Sequence, residues 1–373
     1  MMLTKIYPIQ NLHLHRRKEA RLLISGNSKK IPALRGLINF IISIGLAALF
    51  LFIAFHGVNL GEVFTLVSQA SIFWLVVFAF STMAAHYIRA VRWKIILHSV
   101  KPDASMKHIF GSLMIGYGVN CVTPKLGEVT RAIMLGKWEG LSRTSMFGTV
   151  IVERVIDIVS LGFAVLVSAF IWRENLYSIF PWLETSLYLS AFIMLAIILT
   201  IYFSVRFKER FYGIIVKLFE RFSIKWAEKI GYVFEMLIQG FTSLKGFNNY
   251  LFTIILTVAI LMFYALSSYL GFLMVGLDKL QPVTYEMGWV IMSISAIGVI
   301  IPTPGGTGSY HALAKSTLVL LFGFGETISA AYAFLTHAVS YVLFIFTAVI
   351  IFVISNRQHI NLFKLVKKDL EET

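Results

Sequence analysis

Residues 118–132 read GVNCVTPKLGEVTRA, and residues 298–312 read GVIIPTPGGTGSYHA. An offset of 180 makes five of the fifteen positions identical, at Gly118/Gly298, Val119/Val299, Thr123/Thr303, Pro124/Pro304 and Ala132/Ala312. In each copy proline and glycine interrupt an apolar run, because proline removes a backbone donor and glycine permits a bend. Paired interruptions of this kind in the two halves of a membrane protein point to a substrate site. Ordinary loops share these residues, so the interpretation depends on whether the flanking segments also repeat.

The composition is that of a membrane protein. Hydrophobic residues make up 58% of the chain, charged residues 14%, and the mean hydropathy is +0.79. Apolar runs that approach the ~20 residues of a bilayer span must be helical, because lipid offers no partner to backbone polar groups. The formal net charge of +14 is typical of cytoplasmic loops that face anionic lipid, and no motif supports nucleic-acid binding. The one cysteine, Cys121, excludes an internal disulfide and a cysteine-based metal cluster.

We predict an all-α polytopic membrane protein with about six full transmembrane helices and two re-entrant helical hairpins. The full spans are expected near residues 37–55, 72–98, 145–172, 187–205, 250–275 and 328–354. The segments that flank each Thr-Pro break are shorter than the ~20 residues a span needs, so each pair is interpreted as a hairpin. The hairpin arms are residues 108–122 and 127–138 around the first break, and 286–301 and 311–322 around the second.

The distribution of basic residues predicts the orientation. Segment 206–249 carries eight Lys and Arg residues and has an amphipathic pattern, whereas the predicted outside segments 56–71, 173–184 and 275–285 hold only two. The positive-inside rule therefore places this segment and both tails, residues 1–36 and 356–373, in the cytoplasm.

The two predicted halves, residues 37–172 and 185–354, each read span, span, hairpin, span. With this orientation the first hairpin enters from the cytoplasm and the second from outside, which is an inverted-topology repeat. The offset of 180 extends into the last span of each half, where Ser160 falls on Ser340 and Asp157 on His337. The alternative is eight plain spans without internal symmetry.

The first hairpin carries Lys125, Glu128 and Arg131, which we predict to bind substrate. Charges at membrane depth are costly and mark binding sites or pathways. The fork of Arg131 suits a headgroup phosphate, and the helix N-terminus after Pro124 adds partial positive charge. Glu128 and Arg131 lie three residues apart and can pair, so the alternative is an ion pair that only locks the hairpin.

The span 145–172 carries Glu153, Arg154 and Asp157, which must face protein or water. They are predicted to line the site or to support the first hairpin by pairing with Lys125 or Arg131. Alternatively, Glu153 and Arg154 lie near the cytoplasmic end of the span, and their side chains extend to the membrane surface.

His86, Arg89 and Arg92 follow at intervals of three near the end of the second span, with Trp93 beside them. The favoured interpretation is interfacial anchoring by arginine and tryptophan. The alternative is a basic path for lipid headgroups that enter from the inner leaflet.

The second hairpin is nearly uncharged. Gly305, Gly306 and Gly308 allow close backbone approach, and their amides can bind an anion. His311 occupies the repeat position of Arg131, and both His311 and His337 can titrate near neutral pH. The alternative is a pair of buried structural histidines.

Taken in order, these motifs resemble the membrane domain of the lysylphosphatidylglycerol synthase/flippase family over roughly residues 37–355. The residues that carry the resemblance are Arg92-Trp93, Pro124-x-x-Gly127-Glu128-x-x-Arg131, Glu153-Arg154-x-x-Asp157 and Pro302-x-Pro304-Gly305-Gly306-x-Gly308. The resemblance implies an inner-membrane protein that moves a phospholipid or lipid-linked species between leaflets. We expect no soluble aminoacyltransferase domain and no synthase activity. The chain departs from the family at His311, where Glu is frequent nearby, and at His337, where Arg is frequent.

The leading hypothesis is a lipid flippase, with a phospholipid or lipid-linked substrate and anionic lipid at the cytoplasmic face. Two alternatives stay open: a glycosyl or acyl transferase that uses Asp157 and Glu153, and a scaffold that binds partners through residues 206–249. The sequence has no nucleophile elbow, Walker A loop or zinc motif, so we expect no enzyme activity and no cofactor. Homo-oligomerisation also stays open.

Overall fold

The computed structural model of the 373-residue chain describes residues 31–98, 100–172 and 246–356, with six isolated positions between 185 and 199. The predicted N-terminal tail up to residue 30, residues 206–245 and the tail after residue 356 lie outside the described residues, as does most of the predicted span 187–205. Met1–Gly45 and Leu46–Thr373 form two compact units. The first contributes the beginning of one helix, and the fold below is that of the second.

The described residues form ten α-helices and no strand. In chain order they are α1 (Ile31–Phe55), α2 (Leu60–Ser68), α3 (Ile72–Leu97), α4 (Met106–Val122), α5 (Leu126–Glu139), α6 (Arg143–Ile171), α7 (Phe247–Val275), α8 (Tyr285–Ile300), α9 (Ser309–Leu320) and α10 (Glu326–Asn356). The chain is therefore an all-α protein, as its sequence predicts.

Among the described residues, four helices are long and apolar enough to cross a membrane: α3, α7, and the Ile38–Phe55 and Glu326–Ser355 parts of α1 and α10. The predicted span 145–172 is present as the 29-residue α6. Many large apolar side chains on α1, α3, α7 and α10 are exposed, which suits a lipid environment.

Helix α2 lies in a segment that the sequence analysis treated only as an outside loop. The side chain of Asn59 accepts a hydrogen bond from the Glu62 amide at 3.3 Å and caps the helix. Its signal in the sequence is an N-cap asparagine with an acidic residue in the first turn.

The two interruptions share backbone conformation at two corresponding positions. The first break, residues 123–125, separates α4 from α5, and the second break, residues 301–308, separates α8 from α9. Thr123 and Thr303 are both extended, with φ of −131° and −105°. Two positions later, Lys125 and Gly305 both adopt left-handed φ values of 64° and 53°. Among the described residues, Lys125 is the one residue other than glycine with positive φ.

Helix packing follows the same correspondence. Helices α3–α6 have 26, 17, 14 and 29 residues, and α7–α10 have 29, 16, 12 and 31. Helix α4 packs against α3, α5 and α10, and α8 packs against α7, α9 and α6. Helices α3 and α7, which correspond to each other, share an extensive contact. Each group also has a hydrophobic core of its own, around Trp93 and Leu113 in one and Phe272 and Leu318 in the other.

Candidate functional site: a buried charged cluster beside the first break

A cluster of charged side chains lies where α3, α5 and α6 meet. Its members, called the charged cluster below, are Arg89, Arg92, Glu128, Arg131, Glu153, Arg154 and Asp157. Four arginines and three acids leave a formal charge of +1. Ionised groups in a protein interior persist only when they are paired, and removing one partner leaves a costly buried charge.

Glu153 is the centre of the charged cluster and is fully buried. One carboxylate oxygen accepts from Arg89 Nε at 2.7 Å, and the other lies 2.6 Å from Arg131 Nη1. The carboxylate thus connects α3 to α5, and the structure forms one of the predicted pairings between α6 and the first hairpin.

Asp157 lies one turn further along α6 and faces the same arginines of α3. Arg89 Nη2 contacts one of its oxygens, and Arg92 Nη2 lies 2.5 Å from the other. Arg92 also donates to Thr257 at 3.1 Å, and Arg89 lies 3.5 Å from the Tyr264 hydroxyl. Both of those partners are on α7. The second group of helices, α7–α10, therefore also contributes hydrogen-bond partners to the cluster.

The interpretation of the α3 arginines as interfacial anchors is wrong. Arg89, Arg92 and Trp93 are all buried, and the Trp93 indole donates to Thr149 at 3.2 Å. The acids of α6 face α3, so the two arginines form ion pairs in the interior instead of lying at the membrane surface. The alternative of an open basic path fails for the same reason, because the guanidinium groups are enclosed and paired.

The alternative of a Glu128–Arg131 pair that only locks the hairpin is also wrong. Arg131 turns inward to Glu153 and stacks over the Trp93 ring at 4.9 Å. Glu128 lies 3.6 Å from Arg154, at the partly exposed edge of the cluster. Glu153 is the stronger partner because it is removed from water. Attraction between charges is screened least in the protein interior.

Lys125 takes no part in the ion pairs of the described residues. It is exposed at the first break and begins α5 in a left-handed conformation. Its predicted pairing with the acids of α6 is therefore absent there.

A small cavity adjoins Arg131. Its volume is about 10 Å³, close to that of a single water, and it is lined by Leu113, Gly116, Tyr117, Asn120, Gly127, Glu128, Arg131 and Arg154. Nε and Nη2 of Arg131 are buried and have no hydrogen-bond partner among the described residues. Arg131 thus combines a position on the cavity wall with guanidinium nitrogens that have no partner among the described residues.

Asn120 and Gly127 hold the two helices around this cavity. The Gly127 amide donates to Asn120 Oδ1 at 2.7 Å. A Cβ added at Gly127 would lie 2.6 Å from the Asn120 side chain, so the close approach of α4 and α5 requires glycine. Sequence reasoning did not single out Asn120.

The second break carries neutral groups. The His311 and His337 rings lie 4.6 Å apart, and His337 Nε2 lies 3.1 Å from the Gly305 carbonyl. The Gly308 amide donates to His311 Nδ1 at 3.2 Å, and the Gly306 amide donates to Thr303 O at 3.2 Å. An anion at these amides would have to displace both bonds.

Tyr341 is a residue that sequence reasoning missed. Its hydroxyl lies 2.7 Å from the Pro304 carbonyl, 3.0 Å from the Cys121 carbonyl and 2.8 Å from the Thr307 hydroxyl. The available signal was its position four residues after His337, on the same face of α10.

Apolar helices around a buried charged cluster, beside an interrupted helix pair, define a polytopic membrane protein with an internal polar site. The chain belongs to the family described as the lysylphosphatidylglycerol synthase TM region, whose profile matches residues 40–348. The family resemblance noted from the sequence is thereby confirmed.

Two relatives carry the description UPF0104 membrane protein. The one from Methanothermobacter thermautotrophicus is 28% identical over 265 residues, which cover 67% of this chain and 76% of the relative. The one from Methanocaldococcus jannaschii is 27% identical over 273 residues, which cover 69% and 77%. No solved structure gives a significant match.

Proposed function

We propose that the protein moves a phospholipid or a lipid-linked headgroup between the leaflets of the cell's inner membrane without changing the lipid covalently. The observation that carries this proposal is Arg131. It is 2% exposed, it borders the cavity at the first break, and two of its guanidinium nitrogens lack a hydrogen-bond partner among the described residues. A buried arginine with unused donors suits a phosphate.

The charge of the cluster supports a phosphodiester substrate. With four arginines and three acids, the charged cluster carries a formal charge of +1 when empty. A headgroup phosphate that bears one negative charge would neutralise it, which favours binding in a site shielded from water. Arg131 is placed to bind the phosphate, while Arg89 and Arg92 hold the acids of α6 in position.

Binding requires a rearrangement, because a cavity of about 10 Å³ is far smaller than a lipid headgroup. We propose that α5 separates from α4 and that the Asn120–Gly127 bond breaks as it does so. The conformation described above is then a closed state. The headgroup would enter the opened cavity while the acyl chains stay in lipid.

The correspondence between the two groups of helices supports alternating access. Matching helix order, matching packing partners and left-handed residues at Lys125 and Gly305 favour an internal repeat. With both termini and residues 206–249 in the cytoplasm, as the basic residues indicate, the repeat is inverted and the breaks open toward opposite leaflets.

A transferase would need free carboxylates at the site. Glu153 and Asp157 are each in contact with three arginines of the charged cluster, which leaves transport as the better-supported function.

The test is leaflet exchange in proteoliposomes that contain headgroup-labelled phospholipids, read with an impermeant quencher. Native protein should expose label from the inner leaflet, and Arg131→Ala should slow exchange by at least about tenfold, the factor for one lost charged hydrogen bond. Lys94→Ala, a basic residue of α3 outside the cluster, is the matched control and should exchange like native protein. Thermal unfolding in detergent must show that both variants are folded. Native protein that moves no lipid of a broad panel, but alters its composition, would replace transport with a transferase.

A further inference from the structure

Tyr341 contacts the second break and the end of α4, just before the first break. Its hydroxyl lies within hydrogen-bond distance of Cys121 O, in the last turn of α4, and of Pro304 O, in the second break. One side chain of α10 thus reaches both carbonyls.

A tyrosine hydroxyl donates one hydrogen, so it cannot serve both carbonyls together. Pro304 O already accepts from the Thr307 amide at 2.9 Å. Cys121 O belongs to the last turn of a helix, where carbonyls lack an intrahelical partner. The Thr307 hydroxyl, 2.8 Å away, can donate to the Tyr341 oxygen and direct its hydrogen outward. The Tyr341 hydroxyl therefore donates its hydrogen to Cys121 O. This hydrogen bond joins the second break to α4.

The Tyr341 ring is held in place on the second break. A Cβ built on Gly305 would lie 2.6 Å from the ring, so the ring occupies the space that a side chain would take. The His337 ring packs against it at 4.7 Å, and His337 itself bonds to Gly305 O. Movement of the second break would therefore carry the hydroxyl away from Cys121.

The connection reaches the cavity through the chain. Cys121 directly follows Asn120, which borders the cavity and holds the Gly127 amide. A bond that fixes Cys121 thus also fixes the wall of the site that contains Arg131.

We infer that Tyr341 is a positioning residue that ties the second break to the first and keeps the site at Arg131 closed until the second break moves. This inference rests on the proposed function, since it assigns the closing contact of the same site.

Cys121 provides a direct readout of the tie, because it is the one cysteine in the chain and is buried. The experiment compares the rate of Cys121 modification by N-ethylmaleimide in proteoliposomes of native protein and Tyr341→Phe, at one pH. Without the hydroxyl the closed state loses one net hydrogen bond, so modification should be about fivefold faster. Leaflet exchange is measured on the same vesicles and should also change.

Tyr310→Phe is the matched control. Its hydroxyl lies 3.0 Å from Thr336, within the second group of helices, so it loses a hydroxyl without affecting Cys121. Its modification rate should equal that of native protein. A similar acceleration in Tyr310→Phe would show general loosening and would overturn the inference.

The remaining outcomes separate the two proposals. If Cys121 is modified at the same rate in native protein and in Tyr341→Phe, the inferred role of Tyr341 is overturned, whether or not lipid moves. Faster modification in Tyr341→Phe, with no lipid exchange by native protein, keeps the tie and removes the transport function. If Tyr341→Phe does not fold, Thr307→Val replaces it, because losing the hydroxyl that orients Tyr341 should accelerate modification in the same direction.

Discussion

The two breaks begin with the same backbone conformations but differ in chemistry. Both pass from an extended threonine through proline to a left-handed residue, yet the first is followed by Arg131 and the second by His311. Arg131 pairs with a buried carboxylate of α6, whereas His311 packs against the ring of His337 on α10. The path of a break is thus set by local residues, and its chemistry is set by the helices that pack behind it. In the functions proposed above, the first break binds an anion and the second holds a conformation.

The largest expected effect comes from removing the centre of the charged cluster. Glu153→Ala leaves Arg89 and Arg131 without their shared partner in the interior, and should reduce the free energy of unfolding by about 3–5 kcal/mol. Glu128→Ala is the matched control, since Glu128 is partly exposed and 3.6 Å from Arg154, and should cost less than about 1 kcal/mol. Thermal unfolding in detergent measures both. Equal losses for the two variants would show that burial does not distinguish these acids.

An intermediate effect is expected at the second break. Gly305→Ala introduces a Cβ 2.6 Å from the Tyr341 ring at a φ of 53°, and should destabilise the protein by about 1–3 kcal/mol through overpacking. The same substitution at Gly323, where a Cβ has open space but φ is also positive, isolates the backbone contribution. If the two variants unfold at the same temperature, the Tyr341 ring does not press on Gly305.

The smallest effect is expected at the corresponding position of the first break. Lys125→Gly removes a side chain from a left-handed conformation and should stabilise the protein by about 1 kcal/mol. Leaflet exchange should fall if Lys125 also attracts headgroups, as its sequence position predicts. A stability gain without any loss of exchange would limit Lys125 to the structure of the break.

Sequence reasoning placed most helices to within about three residues. The predicted span 145–172 is α6, Arg143–Ile171, and the predicted arm 108–122 is α4, Met106–Val122. These boundaries follow local signals, namely apolar runs and the Pro and Gly that end them. Sequence reasoning also selected Arg131, Glu153 and Asp157 as candidate residues, because charge inside an apolar span is rare and costly.

Local sequence signals could not predict which charged residues pair with each other. Two partners were open for Arg131, namely Glu128 three residues away and the acids of the span 145–172, and Arg131 pairs with Glu153 of that span. The burial of Arg89 and Arg92 depends on α6 and α7 covering them, which no pattern within α3 could reveal.

The sequence by itself determined the class of protein, the helices and the two breaks, because hydropathy, proline and glycine act on their immediate neighbours. Only the tertiary structure decided which charges meet and what joins the breaks. Arg89 and Glu153 are 64 residues apart in the chain, and Tyr341 and Cys121 are 220 apart. The energy of a buried ion pair or hydrogen bond depends on desolvation and on distances of a few ångströms, and both are set by how distant helices pack.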